Sequence, residues 1–128
     1  MFARTALVSG LLSLVLPFSA MAATPSIVDV RLSGNLDTAS IRLSDRLTQT
    51  SYVYVMIYPF STGTLAGDVA VKYSSKNGRT LVMHGLRSSI AQYASLDPVL
   101  VVKFSLCTDD PMINPSSCAS SVKKLVMY

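Results

Sequence analysis

The residues from which this chain could build chemistry are few. It holds one histidine, His84, two cysteines, Cys107 and Cys118, seven aspartates and no glutamate. A Ser-His-Asp relay would have to use His84, and no serine or aspartate is singled out as its partner by spacing. His84 reads instead as a turn or surface residue at a strand end. Asp109-Asp110 supplies two adjacent carboxylates, yet paired-carboxylate hydrolysis needs one of them protonated in an apolar pocket, and nothing around this pair suggests one. A metal centre would have a single imidazole to draw on. There is no glycine-rich phosphate loop. These features predict a protein that is not an enzyme and that uses no metal or cofactor.

The N-terminus predicts where such a protein works. Arg4 is followed by a nearly continuous apolar run over residues 5–16, then Pro17 and the small-residue pattern Ala20-Met21-Ala22. That is the charge, apolar core and cleavage-site pattern of a secretory signal peptide. The run is about a dozen residues, short of the ~20 that a spanning helix needs. Residues 1–22 are therefore expected to be a signal peptide and residues 23–128 a single β-rich domain, secreted or periplasmic, with no transmembrane segment. In an oxidising compartment Cys107 and Cys118 are expected to pair and close the loop 108–117, worth roughly 2–3 kcal/mol on the chain-entropy account. Without Arg4, ten Lys/Arg face seven Asp. The basic residues do not cluster beyond Lys123-Lys124, so nucleic acid is not an expected partner.

Tyrosines are the residue type that points to binding. In residues 52–58, Val53, Val55 and Ile57 alternate with Tyr52, Tyr54, Met56 and Tyr58. Period two makes this a strand, and its two apolar faces call for cover on both sides. Lys72 lies on an expected neighbouring strand. Aromatic rings stack on the apolar faces of sugars and their hydroxyls add hydrogen bonds. The same residues would equally build a core or a subunit interface.

The elements that must position these residues are mostly strands. Residues 27–33 alternate, with Val28, Val30 and Leu32 on one face and Asp29 and Arg31 on the other. After Ser33-Gly34-Asn35, a return strand spans 39–44. Residues 69–73 and 80–83 are strands around Lys76-Asn77-Gly78-Arg79, an Asn-Gly signal for a type I′ hairpin. The period then changes: Leu86, Ile90 and Tyr93 or Ala94 form one apolar stripe, predicting a short helix over about 87–95 that Asp97-Pro98 stops. Strands follow at 98–106 and 122–128. The fold class is mainly β: a small antiparallel OB-fold-like barrel, five-stranded with a helix after its third strand, or alternatively an immunoglobulin-like β-sandwich.

The order of Tyr52-Val53-Tyr54-Val55-Met56-Ile57, the loop Ser61-Thr62-Gly63-Thr64, Val69-Ala70-Val71-Lys72, the helix segment Ser88-Ser89-Ile90-Ala91-Gln92-Tyr93-Ala94, the strand Val99-Leu100-Val101-Val102-Lys103-Phe104 and the ending Ser116-Ser117-Cys118 resembles the B subunits of pertussis-like and subtilase-type toxins. The resemblance covers half to two-thirds of the expected mature chain. It implies an exported OB-fold subunit of a pentameric ring that binds sialylated cell-surface glycans. It further implies a glycan site drawn from Ser26, Tyr58, Lys72 and Lys76, and a helix whose Ser88, Ser89 and Gln92 face a catalytic A subunit. This chain departs from that family in two respects. It lacks a second disulfide between the strands that hold Tyr54 and Ala70, and its cysteine loop is longer.

Two other classes fit the same composition. A fimbrial or pilus-associated subunit would be a sandwich with an unpaired sheet edge, its pairing segment being residues 122–128. A periplasmic inhibitor or interaction module would act through the loop 108–117.

Overall fold

A computed structural model describes residues 25–128 of the chain; the expected signal peptide, residues 1–22, lies outside them. Seven strands and one α-helix follow in the order β1 (Ile27–Leu32), β2 (Ala39–Leu43), β3 (Ser51–Pro59), β4 (Gly67–Tyr73), β5 (Thr80–Met83), α1 (Leu86–Ala94), β6 (Val99–Cys107) and β7 (Cys118–Met127). They form two antiparallel sheets, β1-β2-β5 and β4-β3-β6-β7. The chain is thus mainly β with one short helix, as its periodicity predicts. The sheets do not close into a barrel. There are seven strands rather than five, and the helix follows the fifth rather than the third, so the architecture is the two-sheet sandwich. Lettered A to G, the order is ABE against DCFG. It departs from the constant-type immunoglobulin arrangement only in the fourth strand, which pairs with the third.

One core fills the space between the sheets. Val53, Val55 and Ile57 of β3 and Leu100, Val102, Phe104 and Leu106 of β6 meet Val30, Ile41, Leu43 and Leu81 from the other sheet. Most of these side chains have no exposed surface. Helix α1 closes one end by burying Leu86 and Ile90, as its stripe predicts. It is tied at its start by Leu86 N–H donating to the Asp37 carbonyl (2.9 Å). Past its end, Asp97 stitches two segments: its carboxylate accepts from Ser61 N–H and Val99 N–H, both at 2.9 Å. Those bonds hold the Asp97 carboxyl below its usual pKa. The sheets are also joined along one side, where Ile27 N–H donates to Ser120 Oγ at 2.8 Å.

Two local readings of the sequence are corrected. The first strand carries a bulge between Ile27 and Asp29. The extra residue breaks strict alternation, so Ile27 is buried and Val28 is half exposed. The second correction concerns residues 74–79, which do not make a hairpin. β4 and β5 belong to different sheets, and the chain crosses between them through a 3₁₀ turn, Ser75–Asn77. The Asn77 side chain accepts from Ser74 N–H (2.8 Å), while Ser74 Oγ accepts from Lys76 N–H (3.3 Å). This reciprocal cap uses Asn77 to start a helical turn. Gly78 takes φ 74° and ψ −140°, open to glycine alone in practice but outside the left-handed helical region of a type I′ turn.

Candidate functional site

The sandwich gives the tyrosines a common address. Inward residues of β3 go to the core, so Tyr52, Tyr54, Met56 and Tyr58 lie on the outer face of the four-stranded sheet. Register then fixes their neighbours. Across β4, β3, β6 and β7, Lys72 stands beside Tyr52, Cys107 and Cys118; Ala70 beside Tyr54, Ser105 and Ser121; Asp68 beside Met56, Lys103 and Lys123; and Tyr58 beside Val101 and Leu125. Ser105 and Ser121 confirm that these rows share a face, since their hydroxyls hydrogen-bond at 2.8 Å.

At the end of this face near the disulfide only the central strand is buried. Cys107 and Cys118 are paired, as the sequence predicts, and Ser105 and Cys107 are buried although they face outward. The loop between the cysteines is held by its own bonds. Asn114 N–H donates to the Asp110 carbonyl (2.8 Å), Met112 N–H to Asp110 Oδ1 (2.9 Å) and Ser117 Oγ to the Asp109 carbonyl (3.0 Å). Its acids reach the face electrostatically. The Tyr54 hydroxyl is raised above its usual pKa first by desolvation, then by Asp110 and Asp109. Tyr52 and Tyr54 pack ring to ring, with centroids 6.1 Å apart.

The end near the helix is open. A depression of about 280 Å³ is lined by Tyr58, Phe60, Gly63, Val101, Lys103 and Lys123. Phe60 is 62% exposed, although its backbone is fixed by an N–H donated to the Val99 carbonyl (2.9 Å). The Tyr58 hydroxyl finds only the Met56 sulfur, at 3.7 Å, a weak acceptor. Lys103 and Lys123 are direct cross-strand partners. Among the described residues the one ion pair is Arg31 with Asp29, on the other sheet, so both ammonium groups are free of acidic partners.

The four glycan-site candidates do not converge. Tyr58 belongs to the open depression. Lys72 is on the same face but opposite Tyr52, six residues away along β3, or about 20 Å at strand rise. Lys76 is exposed in the 3₁₀ turn beyond that same far end of β4. Ser26 precedes β1, beside the three-stranded sheet, and is bonded through its backbone to Ser44. Ser88 and Gln92 are exposed on α1 and Ser89 is half-buried, so the three share the side of the helix turned from the core. His84 is an exposed residue after β5. No group of three or more His, Cys or Asp/Glu residues gathers among the described residues, and no helix there is long and apolar enough to cross a membrane. The residues that sequence reasoning missed are Phe60, Val101, Lys103 and Lys123. Alternation along β6 and β7 would have put both lysines outward, but only the pairing register sets them opposite each other.

The chain matches no protein-family profile, no curated protein and no solved structure.

Proposed function

We propose that the chain is an exported, non-catalytic binding module that holds a saccharide on the outer face of its four-stranded sheet. The observation that carries this is the open depression in which Tyr58, Phe60 and Val101 give an apolar floor beside polar, hydrogen-bonding groups. An exposed aromatic costs solvation unless something covers it. A sugar ring does so with its C–H face while its hydroxyls stay available to side-chain donors. The site is shallow and small, so one copy binds weakly. Display in a ring, as the resemblance to toxin B subunits implies, would raise the avidity through effective concentration.

A second reading has its own observation. Met112 and Ile113 are 72% and 78% exposed at the tip of the disulfide-closed loop, a rigid apolar tip suited to a protein partner. A pilus subunit that needs a donated strand is less well supported, because the chain's own β7 fills the seventh strand position.

The test is a glycan array probed with the oxidised mature protein, its mass in solution determined by light scattering. Tyr58→Ala and Phe60→Ala are expected to lower retention about tenfold each, since a stacked aromatic contributes ~1.5 kcal/mol or more on truncation. Met112→Ser/Ile113→Ser is expected to leave retention unchanged. Retention lost only in the loop variant would shift the function to the loop.

A further inference from the structure

The lysine pair calls for an explanation of its own. Like charges set directly opposite on neighbouring strands, with Cβ atoms about 5 Å apart, destabilise a sheet. β6 and β7 place Lys103 against Lys123 in this way. No carboxylate relieves them: the acids on this face are Asp68, two strands away from Lys103 on the far side of Met56, and Asp109 and Asp110, which act on Tyr54 at the disulfide end. Both lysines, Tyr58 and Phe60 line the same depression. A cavity of about 280 Å³ suits one ring-sized group rather than a long chain segment.

We propose that Lys103 and Lys123 form an anion subsite, which takes the carboxylate or sulfate of an acidic sugar whose ring lies against Tyr58 and Phe60. An oxyanion between the two ammonium groups accepts charge-assisted bonds from both. It also cancels the repulsion the empty pair carries, so the ligand is favoured twice. The position is chemically selective. A neutral sugar satisfies the aromatic floor and leaves the cations opposed, while an acidic one satisfies both. This inference rests on the saccharide reading of the face and gives it a substrate class. It also moves the cationic part of the site from Lys72 and Lys76 to a pair built on β6 and β7.

The experiment measures binding of the oxidised mature protein to three immobilised polymers: polygalacturonate, its methyl ester and dextran sulfate. The native protein is expected to prefer polygalacturonate over the ester by about tenfold or more. Lys103→Gln/Lys123→Gln should abolish that preference while residual binding to the ester persists. Arg42→Gln/Arg46→Gln, which removes equal charge from the other sheet and the loop after it, should preserve the preference. Lysine-dependent retention on dextran sulfate alone would assign the anion as a sulfate ester; on polygalacturonate alone, as a carboxylate. Equal binding of acid and ester by the native protein, with no lysine-dependent retention on dextran sulfate, would overturn the subsite and leave the saccharide face standing. Loss of the preference in the arginine variant would overturn it too, by reducing it to net charge. Retention on none of the polymers, and on no glycan of the array, would remove the saccharide reading itself.

Discussion

The two halves of one sheet face have opposite fates. Near the disulfide, Tyr52 and Tyr54 share their rows with Ser105, Ser121 and the cysteines, and a self-bonded loop brings Asp109 and Asp110 close to them. Near the helix, Tyr58 shares its row with Val101 and Leu125, and two unpaired lysines stand next to it. Both halves arise from the same strand with the same alternation. The difference comes from what lies beyond the strands: a disulfide-closed loop brings acid to one end, and at the other Phe60 and Gly63 leave an open rim. An aromatic stripe on a strand therefore says where a face is. It does not say which part of that face is available.

The strongest way to break this contrast is to release the loop. Cys107→Ser/Cys118→Ser should lower the unfolding free energy by about 2–3 kcal/mol, the loop-closure value for a bridge of this span, read from the urea midpoint. In the same variant the Tyr54 hydroxyl should ionise at lower pH than in the native protein, because its raised pKa comes from desolvation and from the nearby loop acids. Phenolate absorbance in an alkaline titration follows this. An unchanged tyrosine titration would mean that the strands alone, not the loop, desolvate Tyr54.

How far the sequence revealed all this depends on the range of the interaction concerned. Alternation in residues 52–58 separated core from face correctly, and the stripe Leu86–Ile90 located the helix and its buried side. These are local periodicities, set by backbone geometry over a few residues. The 74–79 segment was misread because Asn-Gly suits a hairpin locally, while the tertiary structure needs a crossing between sheets and spends the Asn77 side chain on a cap. The lysine pair was invisible for a different reason. It depends on register between β6 and β7, which is shifted by an irregularity between Leu106 and Cys107, and register is a property of two distant segments together.

A middle-sized effect tests how the open half is braced. Gly67 opens β4 where the Tyr93 ring of α1 comes close, and a Cβ there would collide with the Tyr93 hydroxyl. Gly67→Val must push the ring aside or bend the strand, at a cost of about 1–3 kcal/mol typical of overpacking. Tyr93→Ala in the same chain should recover part of that loss, since the two residues contest one space. Full additivity in thermal or urea unfolding would show that the strand, not the ring, yields.

The smallest expected effect separates stability from binding most sharply. If Lys103 and Lys123 repel in the free protein, Lys123→Glu turns an opposed pair into an attractive one and should raise stability by about 0.5 kcal/mol, the scale of an exposed cross-strand ion pair. The gain should shrink as salt is raised from 20 mM to 500 mM, because the pair lies at the surface and is screened over about 4–20 Å across that range. The same change should remove the preference for acidic sugars. A more stable protein that binds less is the pattern expected where a site keeps an unfavourable contact for its ligand to relieve. A loss of stability instead would mean that the two ammonium groups already point apart, and the open half would then differ from the disulfide half only in lacking a loop.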